Sequence, residues 1–139
     1  MSQWTHLCGL IRVDMSFRLD LEGIANVFRR NIPRGSEGPA YVIVTPENDD
    51  TYGDSIYIVG DLRSVGETEK EIQDIINWFI DVLKELDYKH NVLIRSSILQ
   101  INVESKPTYI VSHTGGWDKP QIISVPHCDS SSSTVKEIE

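Results

Sequence analysis

The chain has 139 residues, which suits one domain with a sizeable core. Its hydrophobic fraction of 40% and charged fraction of 24% are ordinary for a globular protein. The net charge of −8 argues against direct nonspecific binding of nucleic acid, because such binding needs a basic surface.

The first predicted strand covers residues 4–15, WTHLCGLIRVDM, and its side chains alternate between two faces. Leu7, Ile11 and Val13 share one parity and predict a core face. The opposite parity mixes polar and apolar groups and should face solvent or a partner. A short amphipathic helix is predicted over residues 19–30.

The PRGSEGP stretch, residues 33–39, leaves this helix and enters the next strand. A phosphate-binding loop usually joins a strand to a helix N-terminus, and no Lys-Ser or Lys-Thr follows the second glycine. The pattern therefore favours a chain reversal that uses glycine freedom and proline rigidity. A binding loop built from Arg34, Ser36 and Glu37 stays open as the alternative.

Further strands are predicted on both sides of a second helix. Residues 38–46 and 55–63 predict a hairpin with a long polar loop. Residues 91–105 are rich in β-branched residues and predict one long strand, or two strands with a bulge. Residues 107–113 and 121–125 predict two more strands at the end of the sheet.

The second helix, predicted over residues 68–86, carries the strongest local signals. Thr68 and Glu71 fit a capping box, in which each side chain satisfies a free backbone donor. A wide apolar stripe follows at helical spacing. Trp78 lies beside this stripe, so we expect it to be partly buried at an edge.

Up to residue 113 the element order β-α-β-β-α-β-β predicts an α+β fold with a mainly antiparallel sheet and both helices on one face. The ferredoxin-like split β-α-β arrangement, with extra C-terminal strands, is the nearest template. It leaves the opposite sheet face open. We expect a single α+β domain over residues 1–126 and a polar C-terminal tail over residues 127–139.

Two cysteines, Cys8 and Cys128, do not make a disulfide framework. The chain start lacks a signal-peptide pattern, and no apolar run is long enough to span a bilayer, so we expect a cytoplasmic protein without a membrane partner. His6-x-Cys8 and His127-Cys128 lack the spacing of structural zinc sites. We therefore predict no metal and no cofactor.

Arginines mark a candidate ligand site on the open face. Arg12 and Arg63 lie off their core faces by parity, and the template makes their strands neighbours, with His6 and Tyr57 nearby and Arg95 as a further candidate. Two guanidinium groups beside aromatic rings suit a phosphate or carboxylate ligand. In the alternative interpretation, each arginine pairs with a local acid on the surface.

Motifs of known catalytic centres are missing from the sequence. There is no nucleophile elbow, no Cys-His signature and no evident pair of acid and base carboxylates. We therefore predict no catalytic residue, and the pattern favours a noncatalytic protein. Trp4 lies near a chain terminus, where a tryptophan is either an interface anchor or a lid over the core.

The segments WTHLCGLIRVD, PRGSEGP, IYIVGDLR and IINWF together resemble a family of small proteins encoded by tailed bacteriophages. The shared features are a Trp-x-His strand, a Gly-Ser-Glu-Gly turn and a Gly-Asp-Leu-Arg strand end. The resemblance covers residues 4–80 and fades towards the C-terminus. It implies a phage accessory protein in the host cytoplasm, and such proteins frequently inhibit host defence systems.

We therefore predict a noncatalytic phage accessory protein that binds and inhibits or sequesters a host defence component. An acidic surface can occupy the basic nucleic-acid-binding groove of such a host protein. The alternative is a nucleotide- or phosphate-binding protein, or a hydrolase, that uses the arginine and histidine cluster. Self-association through the open face or a strand edge would give a homo-oligomer. The predicted binding residues are Trp4, His6, Arg12, Arg34, Ser36, Glu37, Tyr57, Arg63 and Arg95.

Overall fold

The structure is a computed structural model that describes residues 3–14, 21–44, 54–90, 92–104, 106–113 and 121–125. Its elements are β1 (Trp4–Asp14), α1 (Leu21–Arg29), β2 (Arg34–Gly35), β3 (Gly38–Pro39), β4 (Tyr41–Val44), β5 (Asp54–Arg63), α2 (Glu69–His90), β6 (Leu93–Val103), β7 (Thr108–His113) and β8 (Gln121–Val125). The predicted α+β class is confirmed. The predicted tail over residues 127–139 lies outside the described residues.

Within the described residues, six strands form one sheet in the order β4-β5-β1-β6-β7-β8, and each neighbouring pair is antiparallel. Each helix connects two parallel strands that have a third strand between them. The connection from β1 to β4 passes β5, and the connection from β5 to β6 passes β1. This interleaving is the connectivity of the split β-α-β template, with β7 and β8 added beyond β6.

The central strand β1 buries one of its two faces. Leu7, Ile11 and Val13 are at most 2% exposed and share one hydrophobic cluster with Phe28 of α1 and Phe79 of α2. Because side chains alternate along a strand, these contacts place both helices on the same side of the sheet. Neither helix combines the length and the apolarity that a membrane-spanning helix needs.

The second helix begins with the predicted capping box. The Glu71 N–H donates to Thr68 Oγ1 at 3.3 Å, and the Thr68 N–H donates to Glu71 Oε1 at 3.3 Å. The helix then continues to His90, one turn beyond the predicted end. In that extra turn Lys89 Nζ donates to Glu85 Oε1 at 3.2 Å, an i,i+4 pair that favours further helix.

Trp78 is buried more deeply than the sequence predicts. Its side chain is 4% exposed, and its indole N–H donates to the Phe28 carbonyl oxygen at 3.2 Å. The rings of Trp78 and Phe28 meet edge to face, with centroids 6.2 Å apart. The prediction of partial burial was wrong because the end of α1 covers this part of α2.

A bulge in β6 resolves the alternative of one strand or two. β6 is a single strand of 11 residues. Arg12 of β1 lies opposite Ser96, but the next residue, Val13, lies opposite Ile94. Arg95 is therefore the extra residue, and such a bulge bends the strand and increases its twist.

The PRGSEGP stretch forms a two-stranded hairpin in which β2 pairs with β3, so the predicted chain reversal is present. Its two glycines serve the turn for different reasons. A Cβ at Gly35 would lie 2.6 Å from the Arg63 backbone nitrogen, so only a residue without a side chain fits. Gly38 has a φ of 135°, which side chains strongly disfavour, and open space around it.

This hairpin covers one end of β5. β4 pairs only with residues 56–59 of that strand, which leaves the end at Arg63 without a β4 partner. The Ser36 N–H donates to the Arg63 carbonyl oxygen at 2.9 Å and closes part of this gap. A covered strand end is less available for unwanted pairing with another chain.

Two buried hydroxyl groups differ in their hydrogen bonding. Thr5 is fully buried, and its Oγ1 donates to the Val65 carbonyl oxygen at 2.6 Å. Ser97 is 5% exposed, and its Oγ has no hydrogen-bond partner within the described part of the chain. It lies opposite His113, whose buried Nδ1 also lacks such a partner. An unsatisfied buried polar group costs about 1–3 kcal/mol.

Gly35→Ala should lower the free energy of unfolding by about 1–3 kcal/mol, because the added methyl group meets the rigid backbone of β5. Gly38→Ala should lower it by a similar amount, about 1–3 kcal/mol, through backbone strain alone. Ser36→Ala is the matched control and should stay within about 0.5 kcal/mol, since Ser36 supplies a backbone donor. Urea titration measures all three; a Gly35 variant as stable as the control would contradict the close approach.

Ser97→Ala should raise the free energy of unfolding by about 1 kcal/mol, because it removes an unsatisfied hydroxyl from the core. Thr5→Val keeps the side-chain shape but leaves the Val65 carbonyl without its partner, so it should lower stability by about 1–3 kcal/mol. Thermal and denaturant unfolding compare the pair. Destabilisation by Ser97→Ala would show that the Ser97 hydroxyl has a partner after all.

Candidate functional site

The sheet face opposite the helices is called the open face here, and β1 supplies its central side chains. The β1–β5 register places Trp4 opposite Arg63 and His6 opposite Asp61. Outward side chains at opposed positions are close neighbours in an antiparallel pair. The β1 residues that point to this face are Trp4, His6, Cys8, Leu10 and Arg12.

One end of the open face holds a connected group of aromatic and charged side chains, called the Trp4 cluster. The rings of Trp4 and His6 are stacked, with centroids 6.5 Å apart and planes 2° from parallel. The guanidinium carbon of Arg63 lies 6.0 Å from the centroid of the Trp4 ring, within the range of a cation–π contact. The members of the cluster are Trp4, His6, Glu37, Asp61, Arg63 and Glu104.

The His6 ring is held between two carboxylates. Its Nδ1 lies 2.6 Å from Asp61 Oδ1, and its Nε2 lies 3.8 Å from Glu104 Oε1. An ionised carboxylate can only accept a hydrogen bond, so Nδ1 is the donor to Asp61. The Glu104 backbone is itself fixed, because its N–H donates to the Trp4 carbonyl oxygen at 3.1 Å. The imidazole of β1 therefore lies between a carboxylate of β5 and a carboxylate that follows the end of β6.

Arg63 joins the cluster to the hairpin of β2 and β3. Its Nη1 donates to Glu37 Oε1 at 3.1 Å. Both side chains are about half exposed, at 44% and 57%, and exposed pairs of this kind add little to stability. The pair therefore orients two charged groups at the surface more than it holds the fold together.

The composition of the Trp4 cluster favours a cationic partner. Its carboxylates, from Glu37, Asp61 and Glu104, outnumber its one guanidinium group, and all three are accessible to solvent. Carboxylates accept strong hydrogen bonds from arginine and lysine. Tryptophan and arginine are the residue types most often found at the energetic centres of protein interfaces. The arrangement suits recognition of a basic, partly apolar protein surface.

The structure brings together some of the predicted binding residues and separates others. Trp4, His6, Glu37 and Arg63 meet in the cluster. Tyr57 also lies on the open face, but it is paired with Leu10 near the middle of β1. The binding role of each of these residues stays a prediction.

The predicted neighbourhood of Arg12 and Arg63 is wrong. Both residues lie on the open face, but Arg12 pairs with Ser55 while Arg63 pairs with Trp4. The two positions are eight residues apart along β1, or roughly 27 Å at the usual rise per residue. Parity correctly assigned the face, but the antiparallel register places the arginines at opposite ends.

Three further predicted residues lie outside the cluster. Arg95 is the extra residue of the β6 bulge, near the Arg12 end of the sheet. Arg34 borders a cleft of about 200 Å³ beside α2, together with Glu71 and Asp74. Ser36 contributes its backbone N–H to the contact with β5.

Sequence reasoning missed Asp61 and Glu104 as members of the site. The parity of Asp61, which it shares with Arg63, did indicate the open face, but only the register shows that its partner is His6. Glu104 follows the end of β6, and nothing in the local sequence connects it with Trp4. Contacts between distant strand ends are visible only once the strand order is known.

Two of the four residues considered for a zinc site, His127 and Cys128, lie outside the described residues. Elsewhere, the described side chains form no group of three that could hold a metal ion. Comparison with known proteins adds no relative: no family model, no curated protein and no solved structure matches the chain.

Glu37→Ala and Arg63→Ala should each change the free energy of unfolding by less than about 1 kcal/mol, because the pair is exposed to solvent. The double variant should show a coupling energy of about 0.2–1 kcal/mol. Denaturant unfolding of the four proteins of this cycle measures it. A cost of several kcal/mol for either single change would mean that the pair is structural, contrary to its exposure.

Proposed function

We propose that this protein is a noncatalytic binding protein that uses the Trp4 cluster to hold a basic surface of another protein. The observation that carries the proposal is the contact of Trp4 with both His6 and Arg63 among three accessible carboxylates. Interface anchors combine an aromatic group, a bidentate cation and a rim of complementary charge in this way.

The backbone anchoring of the cluster supports a binding role. Its backbone positions are held by strands and by a hairpin that is hydrogen-bonded to the sheet, so the main chain of the cluster does not need to be ordered when a partner arrives. Binding to preorganised groups loses less conformational entropy than binding to mobile ones. The acidic net charge of −8 would also speed the encounter with a basic partner.

The partner in this proposal is a component of a bacterial defence system, which the protein inhibits or sequesters. This part rests on the resemblance of the sequence to phage accessory proteins. The acidic character of the cluster supports it physically, since a carboxylate-rich surface can occupy the basic groove of a nucleic-acid-handling enzyme. The protein would then act in the host cytoplasm.

A phosphate- or nucleotide-binding function loses the observation that motivated it. Arg12 and Arg63 do not meet, and Arg63 is paired with Glu37. A phosphate placed beside Arg63 would also face the carboxylates of Glu37 and Asp61. Protein recognition is therefore the function that the geometry of this end supports best.

The test compares phage plating on bacteria that carry single defence systems and express either the wild-type protein or a variant. The wild-type protein should protect the phage against one of these defence systems. Trp4→Ala combined with Asp61→Asn should abolish this protection, and the purified variant should bind the identified target at least tenfold more weakly. Asp81→Asn, on the exposed side of α2, removes one carboxylate as Asp61→Asn does; this charge-matched control should protect the phage like wild type.

Circular dichroism and thermal unfolding should show that both variants are folded. Protection that survives in the cluster variant would contradict the proposed surface. Absence of protection by the wild-type protein against every defence system, together with no bound host protein, would contradict the proposed function itself.

A further inference from the structure

The middle of the open face is apolar. Two rows of outward side chains cross it from β4 to β7, as defined by the register, and are called the apolar rows. Five of their large members are between 41% exposed, at Tyr57, and 72% exposed, at Tyr41, whereas Leu10 and Ile110 are half-buried. The first row consists of Tyr41, Val59, Cys8, Gln100 and Ile110. The second row consists of Ile43, Tyr57, Leu10, Ile98 and Ser112.

Such a surface is unusual for an isolated domain. The solvated face of an antiparallel sheet normally carries polar side chains, which alternate along each strand with the apolar side chains of the core face. Within the two rows, the outward positions of β4, β5, β1 and β6 are isoleucine, leucine, valine or tyrosine, except at Cys8 and Gln100. Contiguous exposed apolar patches mark interaction sites in soluble proteins.

Opposite charges lie at the two ends of the apolar rows. On one side lies the Trp4 cluster, in which the carboxylates of Glu37, Asp61 and Glu104 outnumber the single guanidinium group of Arg63. At the other end of the rows lie Arg12 of β1 and, in the adjacent bulge of β6, Arg95. Each end is thus complementary to the opposite end of the same face.

These charges are arranged symmetrically about Gly9 of β1. Arg12 lies three residues to one side of it and His6 three residues to the other. The two apolar rows contain Cys8 and Leu10 and therefore also lie on either side of Gly9. A two-fold rotation about an axis that passes this point and runs across the strands would exchange the rows and exchange the charged ends.

We propose that the apolar rows bind a second copy of this chain, in a face-to-face dimer whose two-fold axis runs across the strands at Gly9. Each row then covers the other row of the second copy, and Arg12 faces the His6–Asp61 pair of the second copy. A two-fold axis parallel to β1 would instead oppose like charges, Arg12 to Arg12. Electrostatic complementarity therefore selects the first arrangement.

The available area is sufficient for a stable dimer. β1, β5 and β6 over the eight residues between Trp4 and Arg12, together with the four residues of β4 and the six of β7, offer roughly 550 Å² per copy at a strand spacing of about 4.8 Å. The total of about 1,100 Å² lies just below the standard size of protein interfaces but exceeds the roughly 1,000 Å² expected of a biological interface. Face-to-face packing of two sheets is also a common arrangement, with side chains filling a core about 10 Å thick.

The net charge of −8 does not prevent this association. Many of the described acids lie on α2, including Glu69, Asp74 and Asp81, on the side of the sheet away from the open face. In the proposed dimer the helices form the two outer layers, so these acids lie far apart and are screened by solvent and salt.

Sedimentation equilibrium of the full chain over a wide concentration range tests the dimer directly. The mass should rise from that of one 15.8 kDa chain to twice that value. Tyr57→Lys combined with Ile98→Lys places two charges in the apolar rows and should weaken association at least tenfold. Tyr88→Lys, at an exposed tyrosine on α2, is the control for a tyrosine-to-lysine change outside the rows and should associate like wild type.

A wild-type protein that stays monomeric at all concentrations would overturn the proposal. It would be overturned even if the apolar rows then proved to bind a host protein. A dimer that tolerates both lysines would place the interface elsewhere, for instance at a strand edge, and would overturn it too. None of these measurements uses a defence component, so their failure is separate from failure of the proposed function.

Charge reversal tests the orientation. Arg12→Glu and Asp61→Arg should each weaken the dimer at least fivefold, and the double variant should recover most of the loss, because the exchanged charges meet again across the two-fold axis. No recovery in the double variant would exclude the proposed axis.

Cys8 lies one residue from the axis and provides an independent probe. Its side chain is exposed in the single chain. In a Cys128→Ser background, the rate of Cys8 alkylation should fall at least threefold as the protein concentration rises through the dimerisation range. An alkylation rate that is independent of concentration would contradict the burial of this row.

Discussion

Burial of Leu7, Ile11 and Val13 beneath the two helices is the constraint on which the rest of the molecule depends. β1 is hydrogen-bonded on both sides, so its inward set also determines the register of β5 and β6. A slip of one residue would move the whole apolar set to the other face, which makes this register strongly specified. Every outward position on the open face follows from it.

The hairpin of β2 and β3 links the edge of the sheet to the candidate site. Gly35 allows its backbone to lie against β5, and the Ser36 N–H bonds the Arg63 carbonyl. The same turn then presents Glu37 to the Arg63 side chain. A stretch that looks like simple chain reversal therefore protects a strand end and also completes a surface cluster.

The open face divides into regions with different chemistry. The Trp4 cluster at one end is aromatic and rich in hydrogen-bond acceptors, whereas the apolar rows in the middle offer area without polar specificity. Directional charge contacts favour selection among partners, and apolar area favours stable association. The proposed partner recognition uses the Trp4 cluster, and the proposed self-association uses the apolar rows. In the dimer Arg12 of the second copy also faces the His6–Asp61 pair, so a basic partner and the second copy compete for that end of the open face. Both regions occupy positions that the core of β1 leaves outward.

The sequence by itself determined the features that depend on local spacing. Alternation in β1 predicted its core face, Thr68 and Glu71 predicted the start of α2, and the glycines of PRGSEGP predicted a reversal. It also assigned Arg12 and Arg63 to the open face. These signals need only the period of a strand or helix and the chemistry of caps and turns.

Only the tertiary structure decided which distant residues meet. The antiparallel register separated Arg12 from Arg63 and joined His6 to Asp61, and the approach of α1 buried Trp78 against Phe28. Parity gives the face of a side chain but not its position along a neighbouring strand, because that position depends on loop lengths and on packing of the whole sheet.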